Sequence, residues 1–451
     1  MFNPRPFARR TGITKLLLAC SFAALPIVAN AQDEASIPSP ADTLEAPGPA
    51  SAQTRYLNNI AGEFTPARGY DVIKTSRGSL NISAYGLFRY INQMPGDQTY
   101  TDHLGRSRTV KARNDINWHR TMIWFSGYFG SPQFRYTLSV WSLPTTQQAL
   151  TFGYLQYTVN KALVFGGGMA PNLTNRSMQG SHPFWAGSDR QMSEEFFRGG
   201  FASGFFVRGE ALKRLYYTAS VNTNLSQLGI TATNDSRDLA YGASLCWMPT
   251  TGEFGPRGGF GDLEEHQQLA TRFGVSSGHA REDRGAALTQ PPNETQLRLS
   301  DGVLLFEAGA LADTVTLRKA DYDNLAFDAG FKYKGFCFQG EYYLRLYSNF
   351  LATSPLPLSE VYDHGFMAEA MHMVVPKKLG VYVAGGYVFD DFKRNPWEIA
   401  GGASLYPYES RSWRLNLHVI HVEKCPTSSN FGYYTAGQSG TTVSLGTDIL
   451  L

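Results

Sequence analysis

The sequence predicts an all-β fold: a transmembrane antiparallel β-barrel of about 16 strands with a long inward-folding loop. Three observations predict it. Strand-length segments in which apolar and polar residues strictly alternate recur from about residue 80 onward. In 214–222, Leu215, Tyr217, Ala219 and Val221 share one face, and Arg214, Tyr216, Thr218, Ser220 and Asn222 share the other. A period of two sends successive side chains to opposite faces of a pleated strand, so one face suits lipid and the other water. Second, after the first thirty-odd residues no stretch approaches the roughly 18–20 continuous apolar residues of a spanning helix. Bilayer lipid cannot satisfy an open sheet edge, so a membrane protein without such helices must close into a barrel. Third, aromatics make up 13% of the chain, enough to supply girdles at both membrane interfaces.

Residues 1–31 read as a signal peptide. Arg5, Arg9, Arg10 and Lys15 precede an apolar stretch from Leu16 to Val28, and Ala29-Asn30-Ala31 forms a small-x-small cleavage pattern before Gln32. Arg9-Arg10 lacks the apolar residues that follow closely in twin-arginine export. The apolar region also runs well past Cys20, against lipoprotein cleavage there. Residues 32–80 read as a periplasmic spacer and lead-in: Pro, Ala and acidic residues dominate to about 54, and 55–80 approach the first strand.

The barrel is expected over 81–451, with strands near 81–93, 119–130, 133–142, 149–159, 161–170, 201–212, 213–224, 237–248, 267–278, 323–334, 335–347, 361–374, 378–389, 396–407, 411–423 and 440–450. Short turns such as Gly130-Ser131-Pro132 alternate with long loops, as in outer-membrane barrels. Val303-Leu304-Leu305-Phe306 is apolar without alternating. Placing it in a loop leaves an even strand number, and the even-number rule decides that assignment.

A barrel of this width leaves an aqueous channel, so function turns on what narrows it. The loop from about Pro171 to Gly200 carries Arg176, Arg190 and Arg198 with Asp189, Glu194 and Glu195. Folded inward, it makes a charged constriction from Arg176, Arg190, Glu194, Glu195 and Arg198; folded outward, it is an external cap. Setting the apolar strand faces toward lipid places Arg135, Arg208, Glu210, Arg214, Asp328, Lys332, Lys334, Gln339, Glu341, Arg345, Arg414 and His418 in the lumen. Basic residues modestly outnumber acidic ones there, which implies a weak anion preference.

Other chemistry is thinly supported. The net charge of +2 gives no hint of nucleic acid. The nine histidines show no metal-site spacing, and no cofactor is indicated. Ser181, His182 and Asp189 share one loop, but a triad is a matter of geometry. Gly166-Gly167-Gly168 suits a strand bend better than a phosphate loop. Glu264-Glu265-His266 reads as a solvated turn. Without Cys20 three cysteines remain, Cys246, Cys337 and Cys425, and no disulfide framework is indicated.

Long strings carry a resemblance. SLNISAYGLFRYINQMPGDQTYTDHLGR (79–106), RSMQGSHPFWAGSDRQMSEEFFRGGF (176–201), NLSQLGI (224–230), WMPTTGEFGPRGGFGD (247–262), ATRFGVSSGHARED (270–283) and the tail from FKYKGF to LNLHVIHVEK resemble outer-membrane porins related to the phosphate-selective O/P porins. The resemblance implies a sixteen-stranded homotrimer in outer-membrane lipid that passes small hydrophilic solutes. Two features depart from the pattern: the arginine ladder and lysine cluster of phosphate channels have no position-by-position match, and Leu451 replaces a terminal Phe. The expectation is therefore a weakly anion-preferring diffusion porin. Its rivals are an anion- or phosphate-specific channel and a plugged structural or adhesive barrel.

Overall fold

The computed structural model describes residues 66–451 apart from 144–147, 172–174, 177–182, 224, 226–237, 256–258, 286–287, 290–296 and 429–431. The signal segment thus lies outside the described residues. The strands are β1 (Tyr70–Thr75), β2 (Gly78–Met94), β3 (Gln98–Thr101), β4 (Ser107–Val110), β5 (Asn114–Phe129), β6 (Ser131–Leu143), β7 (Gln148–Asn160), β8 (Leu163–Pro171), β9 (Phe201–Leu212) and β10 (Leu215–Asn222). They continue as β11 (Ala240–Trp247), β12 (Ala270–Asp283), β13 (Leu317–Tyr333), β14 (Phe336–Ala352), β15 (Val361–Val375), β16 (Leu379–Asp390), β17 (Trp397–Leu405), β18 (Trp413–Glu423) and β19 (Gly440–Leu450).

Strands β2 and β5 to β19 form a closed antiparallel barrel of 16 strands. Each pairs with its sequence neighbour, and β19 returns to β2 with Leu450 opposite Tyr85 and Thr441 opposite Met94. Closure leaves every ladder group inside the wall a partner, the condition bilayer lipid imposes. The sixteen expected strands correspond to these elements.

Three strands were not expected. β1 lies inside the supposed lead-in and pairs with the start of β2, Tyr70 opposite Ile82 and Thr75 opposite Gly78. It occupies the edge of β2 beyond the end of β19, where backbone groups would otherwise lack partners. β3 and β4 form a separate hairpin in the loop that follows β2.

Hairpin chemistry places the short turns at one end of the barrel. Between β13 and β14 only Lys334 and Gly335 intervene, with φ of 47° and 80°. Two positive φ values match the right-handed twist of the flanking strands, and Gly335 adopts one at little cost. Lys334 therefore sits exposed in a turn and not on the lumen wall, as the alternation alone had suggested.

Alternation is visible in the burial. On β14, Phe336, Phe338 and Tyr342 are exposed outward, while Cys337, Gln339, Glu341, Tyr343 and Arg345 are buried inside. Val303 to Phe306 does lie in a loop, where Arg298 and Leu304 form an isolated bridge flanked by backbone bonds from Leu299 to Val303 and from Leu305 to Leu297. Its side chains pack with Leu317, Tyr322 and Tyr347 in a buried cluster toward the long-loop end. Cys246, Cys337 and Cys425 are buried free thiols.

Candidate functional site

The loop after β8 folds into the barrel, and its described residues, 175–176 and 183–200, are buried apart from Phe184. It contains one short helix, α1 (Met192–Phe197), in the stretch expected to be loop. Irregular backbone in a buried place must find hydrogen-bond partners, and here interior side chains of the wall supply many. Arg414 Nη1 donates to the Trp185 carbonyl at 2.6 Å, and Ser404 Oγ donates to the Ala186 carbonyl at 3.0 Å. Arg345 Nη1 donates to the Phe196 carbonyl at 2.6 Å, and Tyr322 Oη and Asn324 Nδ2 donate to the Phe197 carbonyl at 3.1 and 3.2 Å. In the other direction, the Met192 N–H donates to Glu398 Oε1 at 2.6 Å and the Arg176 N–H donates to Glu341 Oε1 at 2.8 Å.

Apolar packing fixes the same geometry. Trp185, Met192, Phe196 and Phe197 join Tyr343, Met367, Tyr382, Val388 and Tyr433 in one buried cluster. Phe197 stacks on Tyr343 with centroids 4.9 Å apart. α1 approaches β16 so closely that a Cβ on Gly386 would stand 2.5 Å from Ser193 Oγ. Glycine is what admits the helix there.

The charges are arranged in pairs. Asp189 sits between Arg120 at 3.3 Å and Arg89 at 3.6 Å. Arg198 Nε and Nη2 reach the two Glu195 oxygens at 2.7 Å each, a bidentate pair, and Arg190 lies 3.9 Å from the same carboxylate. Arg345 pairs with Asp363 at 2.7 Å, Arg272 with Asp328 at 2.8 Å, and Arg411 and Arg414 share Asp448. Glu369 accepts from Gln191 Nε2 at 3.2 Å, and Glu398 Oε2 accepts from Tyr434 Oη at 2.6 Å. Arg176 lies over the rings of Phe260 at 4.8 Å and Phe254 at 5.5 Å.

The structure thus brings together Arg176, Arg190, Glu194, Glu195, Arg198, Glu341, Arg345 and Arg414 about the loop, with Asp328 and Lys332 on the adjoining wall. Arg208 lies across the barrel, its guanidinium bonded to Gln156 and 5.3 Å over Phe206. Arg135 is exposed at the short-turn end, where its Nε donates to the Pro132 carbonyl at 3.2 Å. Arg214 is corrected: it forms the β9–β10 turn with φ of 69°, and its guanidinium bonds to the Pro249 and Thr250 carbonyls. Glu210 accepts the Arg214 N–H at 2.8 Å, which ties it to the same turn. His418 is buried against Tyr382 Oη at 2.8 Å. Ser181 and His182 lie outside the described residues, and Asp189 is committed to two arginines.

Sequence reasoning missed Arg89, Arg120, Arg272, Asp363, Glu369, Glu398 and Asp448. More acids than bases join the interior with them, which weakens the basic excess. The signal was present on β15, where Asp363 and Glu369 share the parity of Gly365 and Met367. On β2 it was obscured, because Tyr85, Leu87 and Ile91 face inward beside Arg89.

The wall opposite the loop differs in kind. On β7 to β10, Gln156, Gly166, Gly168, Gly204, Thr218 and Ser220 face inward and are only half-buried. Apart from Gln156 these are small or hydroxyl-bearing residues, and the buried Phe152, Tyr154, Phe206 and Arg208 face inward among them.

The long turn after β11 also reaches under the loop. The Phe260 N–H donates to the Phe184 carbonyl at 2.6 Å. Glu264-Glu265-His266 is not simply solvated: His266 is clamped by Asp262 through Nδ1 and by Glu253 Oε1 at 3.0 Å through Nε2. Burial alone would lower the His266 pKa, but these two carboxylates more than offset it and hold it at about 9. Burial would raise the Asp262 carboxyl, yet the His266 bond holds it below the usual range. Asp262 also accepts the Gly335 N–H at 2.8 Å, which joins the two turns. Among the described residues no cluster of histidine, cysteine or carboxylate ligands is arranged to hold a metal ion.

No family model and no curated protein matches the chain. Solved structures with similar folds include OmpT of Vibrio cholerae, 11% identical over 84% of this chain and 99% of that one, with a TM-score of 0.48. An anion-selective porin from Comamonas acidovorans is 11% identical over 82% of this chain and 100% of its own, with a TM-score of 0.48. The outer membrane channel DcaP of Acinetobacter baumannii is 11% identical over 85% and 99%, with a TM-score of 0.44.

Proposed function

We propose that this chain is an outer-membrane porin that passes small hydrophilic solutes by diffusion with a weak preference for anions. The observation that carries the reading is a closed barrel of 16 strands, apolar and aromatic outside, whose interior is narrowed by a loop anchored to one side. Strands of this length span a bilayer when tilted, and a barrel this wide is not filled by its own wall. The loop and the wall β13 to β18 neutralise one another, so the solute route lies along β7 to β11. Arg208 is then the fixed cation facing the route, and the anion preference rests chiefly on it. Assembly as a homotrimer belongs to the same proposal and rests on the resemblance to O/P-type porins. No covalent chemistry is involved.

The test is conductance of the folded protein in planar bilayers, with the reversal potential measured under a salt gradient. An open channel with a small anion-selective potential is expected; folded, inserted protein that never conducts would refute the reading. One observation favours a second reading, a plugged structural barrel: the loop, the turn at Phe254 and Phe260, and Tyr433 and Tyr434 all pack into the lumen. The same absence of conductance would support it.

A further inference from the structure

The short-turn end of the barrel carries lysines in several of its hairpin turns. Lys161 stands in the β7–β8 turn, Lys213 in the β9–β10 turn, Lys334 in the β13–β14 turn, and Lys377 and Lys378 in the β15–β16 turn. All are exposed, and among the described residues none of them makes an ion pair. The long-loop end is different. There Lys111 lies 2.6 Å from Asp97, Arg113 lies 3.0 Å from Asp115, and Lys319 lies 2.9 Å from Asp238.

The carboxylates at the short-turn end do not neutralise these lysines. Glu253 and Asp262 hold His266, and Glu210 accepts the Arg214 N–H. Glu264 and Glu265 belong to the long turn under the loop, and Glu265 lies beside Gly335 without pairing with Lys334. The β17–β18 turn carries Glu409 in place of a lysine. The short hairpins from β7 to β16 therefore present positive charge to their surroundings.

Their position decides what those surroundings are. In each turn an exposed, outward-facing apolar side chain closely precedes the lysine: Val159, Leu212, Tyr333 and Val374. Lys334 holds its ammonium 5.1 Å over the Tyr333 ring. These lysines thus stand where the lipid-facing belt of the strands ends. A lysine there keeps its methylene stem on the apolar belt and its ammonium at the headgroup level. The net negative charge of an anionic leaflet adds an attraction that a zwitterionic surface lacks.

We propose that this arc of turn lysines is a docking surface for anionic phospholipid headgroups, which it gathers around the short-turn end of the barrel. The phosphate of a lipid such as phosphatidylglycerol meets the ammoniums while its chains cover Val159, Leu212, Tyr333 and Val374. Free phosphate makes the charge contact without the chain contact, and zwitterionic lipid makes the chain contact without net charge.

Trp247 is the natural reporter. It faces outward beside the β9–β10 turn, opposite Leu215, whereas Trp118 faces outward nearer the long-loop end. The full-length folded protein is reconstituted in phosphatidylcholine vesicles containing brominated phosphatidylglycerol or, for comparison, brominated phosphatidylcholine. Bromine quenches tryptophan at short range, and the quenching lost in Trp247→Phe or in Trp118→Phe isolates each position. At about 0.1 M salt the brominated glycerol lipid should be enriched about threefold over the choline lipid at Trp247 and not at Trp118. Near about 1 M salt the screening length falls from about 10 Å to about 3 Å, and the enrichment should vanish. Lys161→Gln, Lys213→Gln, Lys334→Gln, Lys377→Gln and Lys378→Gln combined should abolish it, and Lys111→Gln at the other end should leave it in place. Lys213→Gln alone, in the turn beside Trp247, should lower it measurably should the combined variant misfold. Equal quenching by the two lipids, equal enrichment at the two tryptophans, or enrichment that survives the combined substitution overturns the surface. Enrichment abolished by millimolar inorganic phosphate, but not by chloride of equal ionic strength, would identify free phosphate as the ligand and overturn it as well. Quenching is read without conduction, so a barrel that never conducts would refute the porin reading and leave this surface standing.

Discussion

The two sides of the barrel interior solve different problems with the same β-ladder. On β13 to β18 the wall carries long, charged and aromatic side chains, and nearly all of them are buried against the inward loop. On β7 to β10 the inward positions mix buried Phe152, Tyr154, Phe206 and Arg208 with half-buried glycine, serine, threonine and glutamine. The first wall is a docking surface; the second carries fewer charged side chains and more half-buried positions. An inward loop in a wide barrel does not narrow it evenly. Its described residues dock on β13 to β18, and the proposed solute route follows the half-buried positions of β7 to β10.

That comparison breaks most sharply at Arg345 and Asp363, whose side chains are 1% and 0% exposed. Arg345 also holds the Phe196 carbonyl, so one ion pair joins wall, charge and loop. Asp363→Ala leaves the guanidinium buried without its carboxylate and should lower stability by about 3–5 kcal/mol. Urea unfolding followed by tryptophan fluorescence measures the loss. If the loop undocks as a consequence, conductance should rise along with it. On the opposite wall Ser220→Ala should change stability by no more than about 0.5 kcal/mol. Similar losses at both positions would remove the distinction between the walls.

A second substitution sharpens the comparison through the pore. Thr218→Trp places a large ring on the wall proposed to carry solute and should cut single-channel conductance clearly while the fold holds. A large side chain at Gly386 meets Ser193 in the docked helix, so its effect should be on stability first. Arg208→Gln removes a fixed cation of the proposed solute wall and should move the reversal potential toward cation preference. The paired Arg272, bonded to Asp328 at 2.8 Å, should have less effect on that potential.

Sixteen strands were legible because lipid on one side imposes a strict apolar parity, as at Phe336, Phe338 and Tyr342. β1 was not legible, since its six residues are exposed and it forms to cover an edge of β2 that only the closed barrel reveals. The interior was half legible. Glu341 and Arg345 stood out as charges against an apolar outer face. Arg89 did not, because Tyr85, Leu87 and Ile91 share its face and pack inward like a core. The alternation rule assumes a wet lumen, and it weakens where a loop keeps the lumen dry. The turn residues Arg214 and Lys334 show the other limit, since parity has no meaning once φ turns positive.

The effect least tied to either wall lies in the turn that supports the loop from below. His266 is clamped between Asp262 and Glu253, with its side chain 8% exposed. Its pKa of about 9 in the fold stands above an ordinary value near 6.5, so protonation favours the folded turn. That contribution is fully present below pH 6.5 and is lost as pH rises through about 9. Asp262 works in the opposite sense: its lowered pKa gives stability above the ordinary carboxylate range that disappears as pH falls through the depressed value. The clamp is therefore strongest between those limits, near pH 5–6.5, and weakens on both sides. His266→Gln should remove the alkaline arm and cost about 1–3 kcal/mol, the scale of hydrogen bonds to charged groups. Urea midpoints for the parent and His266→Gln at pH 6 and pH 10 decide the matter. The two proteins should differ at the lower pH and converge at the higher, with the solute wall and its conductance barely affected. A gap that persists at pH 10 would mean that His266 supports the turn by shape and not by charge.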